Sequence, residues 1–157
     1  MATEIERKFL VCGDFKAEAQ HSRRITQGYL CSVPERAVRV RTKGDKGFLT
    51  IKGIGNAAGT TRYEWEREIP ADEARELLEI CEAGVIDKTR YIVNVDGFTF
   101  EVDEFYGDNE GLVVAEVELP AEDTEFDKPD WLGEEVTGDV RYYNLMLMKE
   151  PYKTWKN

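Results

Sequence analysis

Charged and apolar residues alternate along much of this chain with the period of a β-strand. In Glu4-Ile5-Glu6-Arg7-Lys8-Phe9-Leu10-Val11 successive side chains point to opposite faces. Glu4, Glu6 and Lys8 therefore share one face, and Ile5, Phe9 and Val11 the other. The alternation recurs at Arg39 and Arg41 between Val38 and Val40, and at Lys52 beside Leu49 and Ile51. It recurs again at Glu64 and Glu66 around Trp65, at Lys88 and Arg90, at Glu101 and Asp103, and at Glu116 and Glu118. Six basic and eight acidic residues fall on this one periodicity.

The same pattern predicts strands over about 3–11, 25–31, 36–42, 48–52, 61–69, 87–95, 98–105 and 112–119. Gly44-Asp45-Lys46-Gly47 and Asp96-Gly97 supply turns, and Gly53–Thr60 reads as a loop. A short helix or loop is expected over about 14–21. Pro70-Ala71-Asp72-Glu73 opens a helix that Gly84 ends, with Ala74, Leu77, Leu78 and Cys81 as its apolar stripe. Glu122–Trp131 reads as a polar connection. A last helix is expected over about 139–149, with Tyr142, Leu145, Met146 and Met148 on its apolar face. About eight strands and two or three helices give an α+β protein, expected to form one domain over 1–157.

Two placements of the charged face fit this pattern. It can face solvent on an open two-layer sheet. Alternatively the sheet closes into a barrel, which removes its edges and turns the charges toward one another across a lumen. Such a lumen is costly when empty, so mixed signs, water and ligand must compensate. Cations would hold phosphate oxygens, and carboxylates would hold a hard divalent metal.

Composition narrows the function classes. Charged residues make up 34% of the chain and the net charge is −11, which argues against a general nucleic-acid binder. Cations focused in one cleft can still bind an anion. No apolar run is long enough for a membrane span. The start, Met1-Ala2-Thr3-Glu4, has no basic run followed by an apolar stretch, so a cytoplasmic protein is expected. Cys12, Cys31 and Cys81 are odd in number and match no metal spacing, as expected of reduced thiols. His21 is the only histidine, which disfavours histidine-based metal sites and Ser-His-Asp chemistry.

Glu4-x-Glu6-x-Lys8 resembles the ExExK signature of the CYTH superfamily, the triphosphate tunnel metalloenzymes. The supporting segments follow in that family's order: Arg39-Val40-Arg41, Leu49-Thr50-Ile51-Lys52, Tyr63-Glu64-Trp65-Glu66, Lys88-Thr89-Arg90-Tyr91, Glu101-Val102-Asp103, Glu116-Val117-Glu118, Gly133–Thr137 and Arg141-Tyr142-Tyr143-Asn144. The resemblance covers about 3–148. It implies an eight-stranded antiparallel closed β-barrel, a tunnel with a charged lumen and a few outer helices. It implies that Lys8, Arg39, Arg41, Lys52, Lys88 and Arg90 bind a triphosphate. Glu4, Glu6 and Glu118 would lead the ligands of Mg2+ or Mn2+, with Glu116, Asp103, Glu64 and Glu66 close behind. Lys88 with Tyr29 resembles a lysine–tyrosine pair that activates or orients the attacking water. Lys88 as a phosphate clamp, and Tyr29 as an ordinary strand aromatic, remain open.

The short stand-alone members of that superfamily are the best match in length. Trp65, Trp131, Phe105 and Tyr106 are the candidate platforms for a nucleotide or thiamine, and no base-recognition constellation is visible among them. Metal-dependent hydrolysis of inorganic tripolyphosphate is therefore expected. The alternatives are a class IV adenylate cyclase, a thiamine or nucleoside triphosphatase, or a non-catalytic module that binds polyphosphate or nucleotide. The expected partner is a small triphosphate, with no nucleic acid and no membrane, and the outer apolar helices offer a surface for a homodimer.

Overall fold

In the computed structural model the described residues are 5–55, 62–121 and 123–155. The strands are β1 (Glu6–Val11), β2 (His21–Cys31), β3 (Arg36–Lys43), β4 (Lys46–Gly55), β5 (Arg62–Pro70), β6 (Ile86–Val95), β7 (Phe98–Phe105), β8 (Val113–Glu118) and β9 (Leu132–Glu135). The helices are α1 (Ala71–Glu79) and α2 (Asn144–Lys149). All nine strands lie in one sheet, ordered β5-β4-β3-β2-β6-β7-β8-β1-β9, and every neighbouring pair is antiparallel.

This corrects the eight-stranded closed barrel. The ninth strand, β9, comes from the end of the polar connection, and no ladder joins it to β5 among the described residues. Four residues long and irregularly paired to β1, β9 gives the sheet a short edge. The charged face is nevertheless enclosed. Lys8, Lys88 and Asp103 on it are 7%, 1% and 5% exposed. No full helical layer covers that face, so the sheet itself must curl around it.

Local chemistry sets the element ends. The β6–β7 hairpin turns through Asp96 at φ 50° and Gly97 at φ 84°, the left-handed pair that suits a two-residue connection. Strand β2 begins at His21, four residues before the expected start, because His21–Arg24 pair with Thr89–Ile92 of β6. The helix expected near 14–21 is only a 3-10 turn at Lys16–Glu18. The last helix is also shorter than expected: Val140–Tyr142 is a 3-10 turn, and Asp139 accepts a hydrogen bond from the Arg141 N–H there.

Helix α1 carries Asp72 and Glu73 in its first turn, where the helix dipole favours acids. It buries Ala74 against the outer face of β4. At Gly47 an added Cβ would lie 2.7 Å from the Ala74 Cβ, so only glycine admits this approach. Gly84 does not end α1, which stops at Glu79. It has φ +96°, and a Cβ there would fall 2.1 Å from the Met148 carbonyl oxygen, so it seats α2.

Two apolar cores follow. One lies outside the sheet: Phe9, Val93, Phe100, Val102, Ala115 and Val117 pack under Phe15, Leu119, Trp131 and Phe126. A polar connection, not a helix, therefore covers this face. The second fills one end of the concave side, where α2 and its flanks bring Tyr142, Leu147 and Met148 against Ile86, Phe105, Leu112 and Val114. Among the described residues no helix is long and apolar enough to cross a membrane.

Candidate active site

Antiparallel register decides which side chains meet. Directly opposed residues share a face, so the pairs Lys8 with Glu116, Glu116 with Glu101, Asp103 with Arg90, and Arg39 with Thr50 line one concavity. The far end of this cleft is filled by the second core, and the near end stays open.

The deepest group is Lys88-Asp103-Arg90. Lys88 Nζ donates to Asp103 Oδ2 at 2.8 Å and to Asn144 Oδ1 at 3.1 Å. Arg90 donates through Nε to Asp103 Oδ1 at 2.8 Å and through Nη2 to Oδ2 at 3.0 Å. Burial pushes the Asp103 carboxyl up, but Lys88 and Arg90 outweigh it and hold the group well below the usual carboxylate range. One carboxylate thus serves two cations. Arginine keeps its proton more strongly, and Asp103 holds Arg90 above its ordinary range against the effect of burial. Lys88 is the one that yields: burial, reinforced by Arg90, lowers it to about 8 despite the pull of Asp103.

Toward the mouth, Lys8 Nζ lies 3.1 Å from Glu116 Oε1, 3.4 Å from the Tyr142 carbonyl and 4.7 Å above the Tyr143 ring. The Glu6 carboxyl lies within hydrogen-bond reach of Glu116, one proton serving the two. Burial raises the Glu116 carboxyl, but the charge of Lys8 and these hydrogen bonds bring it below its ordinary value. Glu6, Glu101, Glu116 and Glu118 line a half-open cavity of about 580 Å³.

The other wing of the cleft is built on β3, β4 and β5. Arg41 Nη2 lies 3.3 Å and Arg39 Nη2 3.8 Å from Glu66 Oε1, which also accepts from Thr50 Oγ1 at 2.7 Å. Lys52 lies 4.0 Å from Glu64. Burial, reinforced by Arg39, lowers Arg41 to about 10. Among the described residues the Nε atoms of Arg39 and Arg41 are buried donors without a partner. An N–H left so is costly, and a phosphate oxygen would satisfy it.

All six cations expected to hold a triphosphate therefore share the concave face. The acids divide. Glu6, Glu101, Glu116 and Glu118 stand at the mouth with Asp103 behind them, whereas Glu64 and Glu66 pair with cations on the opposite wing. Glu4 lies outside the described residues. Among the described residues no three acids, histidines or cysteines converge closely enough to hold a metal. The donor set nevertheless suits one: Glu6 and Glu116 touch, and two carboxyl groups in contact must share a proton or a cation.

Tyr29 lies opposite Arg39 on β2 and packs with the second apolar core. Among the described residues it makes no hydrogen bond to Lys88, whose partners are Asp103 and Asn144. Trp131 and Phe105 are buried in the two cores, while Tyr106 and Trp65 lie under the guanidinium groups of Arg24 and Arg67. None of these four offers an open platform. Sequence reasoning missed Asn144 and Gln27, the latter 2% exposed between Arg41 and Ile86. It also missed Arg23 and Lys43. Lys43 continues the Arg39–Arg41 periodicity, and that signal could have found it.

A curled antiparallel sheet with cations and carboxylates lining one concave face defines a class of protein. Residues 2–145 match the CYTH domain, and the chain belongs to that family. Over 157 residues it is 52% identical to an inorganic triphosphatase of Acetivibrio thermocellus, covering 99% of each chain. It is 40% identical over 149 residues to an inorganic triphosphatase of Nitrosomonas europaea, covering 92% of this chain and 96% of that one. Among solved structures, the inorganic triphosphatase NE1496 superposes with a TM-score of 0.74 at 38% identity, over 94% of this chain and 95% of that one.

Proposed function

We propose that this protein hydrolyses inorganic tripolyphosphate in a divalent-metal-dependent reaction, releasing one phosphate. The observation that carries the reading is the concave face itself, with buried arginine donors that lack partners among the described residues on one wing and clustered carboxylates at the mouth. The names of the two relatives, both inorganic triphosphatases, support it.

In this reading Arg39, Arg41, Lys52, Lys8 and Arg90 bind the phosphate oxygens and stabilise charge on the transferring phosphoryl group. Glu6 and Glu116, with Glu118 and the acids beside them, would hold Mg2+ or Mn2+; when bound, the metal neutralises phosphate charge and polarises the oxygen it touches. Lys88, lowered to about 8, takes a proton from the attacking water, and Asn144 and Asp103 hold its amine in place. A substrate made only of phosphates needs no aromatic platform.

The test is to offer the purified protein tripolyphosphate, pyrophosphate, ATP and thiamine triphosphate with Mg2+, and to measure phosphate, pyrophosphate and cyclic AMP. Phosphate from tripolyphosphate, faster than from ATP or pyrophosphate and abolished by chelator, is the expected result. Cyclic AMP as the main product would establish a cyclase, and binding without any release a non-catalytic module.

A further inference from the structure

Arg23 and Lys43 belong to no part of the site described so far, yet the register places both at its mouth. Arg23 on β2 lies directly opposite Arg90 on β6. Lys43, the last residue of β3, lies opposite Ile25, which in turn lies opposite Lys88. The open end of the cleft is where β3 ends and β2 begins, and also where Glu6, Gly97 and Glu118 line the acidic cavity.

Among the described residues neither Arg23 nor Lys43 has an acidic partner within 4.0 Å. Lys43 is half-buried with Arg41, Arg90 and Arg23 near enough for their charges to act on it. Burial lowers its pKa, and those three guanidinium groups lower it further. The aromatic ring of Phe48 supports this cluster: Lys43 Nζ lies 5.5 Å and the Arg41 guanidinium 5.8 Å from its centroid. A ring face stabilises a cation without neutralising it. The positive charge therefore stays available to an incoming anion. In a chain of net charge −11, such a patch focuses the field at one place.

We infer that Arg23 and Lys43 form a capture site for the polyphosphate anion at the mouth of the cleft, handing it inward to Arg41 and Arg90. The inference rests on the triphosphatase reading and adds to it two residues whose work is done before chemistry. A rim cation of this kind acts on association and on its salt dependence, not on the chemical step.

The test is the double variant Arg23→Gln, Lys43→Gln against the native protein. Phosphate release from tripolyphosphate with Mg2+ is followed over a range of salt. Tripolyphosphate binding is measured separately by calorimetry in excess chelator, where no turnover is needed. Loss of two charged contacts should raise KM and weaken the calorimetric Kd about tenfold or more, with kcat within about twofold and a flatter salt dependence. The charge-preserving pair Arg23→Lys, Lys43→Arg should restore most of the loss. Unchanged KM and Kd would overturn the inference, and so would a fall in kcat at constant KM. If the native protein bound tripolyphosphate but released no phosphate, the hydrolytic reading would fail, while the calorimetric comparison would still decide the capture site.

Discussion

Asp103→Asn should be the most destabilising conservative change in the cleft. The carboxylate is 5% exposed and lies 2.8 Å from Lys88 Nζ and 2.8 Å from Arg90 Nε. An amide keeps the shape and one acceptor but removes the charge that compensates two buried cations. Removing one partner of a buried pair costs about 3–5 kcal/mol, a large fraction of the roughly 5–15 kcal/mol that holds a domain folded. At this chain length that corresponds to a fall in Tm of about 6–20 °C. Urea denaturation at pH 7 without ligand measures it. The sign with pH is fixed. Asp103 is depressed in the folded state, so its stabilisation is present above the unfolded carboxyl value and is lost only as pH falls below it; the gap between native and variant should persist down to about pH 4. Adding Lys88→Met to Asp103→Asn removes one uncompensated charge and leaves Arg90 with Glu101 at 3.4 Å, so the double variant should recover part of the loss. An Asp103→Asn protein within about 1 kcal/mol of native, or a double variant with purely additive losses, would refute the reasoning.

The remaining predictions concern activity and packing. Lys88→Arg keeps the charge but cannot give up its proton, so turnover should fall with binding retained; the native rate should rise with pH through about 8, where neutral Lys88 accumulates, and the variant profile should be flat there. Arg41→Gln should cost about 1.5–3 kcal/mol of substrate binding that extra Mg2+ does not restore, whereas the loss in Glu116→Gln should be partly restored by it; steady-state titrations of both ligands separate the two. Gly84→Ala forces a Cβ to 2.1 Å from the Met148 carbonyl oxygen at φ +96° and should cost at least about 2 kcal/mol, with proteolysis of the C-terminal segment as the readout.

Much of the site was legible because period-two alternation is a local property, and seven charged segments repeated it in one register. What escaped depended on distant partners. Leu132-Gly133-Glu134-Glu135 has neither length nor alternation, so only its pairing beside β1 makes it a strand. His21–Arg24 is polar throughout and becomes strand through β6. Closure of the sheet depends on whether its two edges meet, which no stretch of sequence encodes. Asn144 stands in the Arg141-Tyr142-Tyr143-Asn144 segment but had no role there, because its partner Lys88 lies far off in the sequence and meets it only where α2 folds back. The outer core carried a different ambiguity: Phe126 and Trp131 sit in a polar connection, and their packing under β1 and β7 replaces the helix that such a face would ordinarily receive.

Strand β1 lies between β8 and β9, so the sixth to eleventh residues of the chain wait for partners made more than a hundred residues later. Strands β2, β3 and β4 pair in sequence order across short connections, and β6 pairs with β7 in the same way. The arginine wing is therefore built from pairings that are local in the sequence. The meeting of Glu6 and Lys8 with Glu116 comes last and requires nearly the whole chain. A chain cut short before β8 would therefore keep the cation wing, with its own Glu64 and Glu66, but would lack the cluster of carboxylates at the mouth.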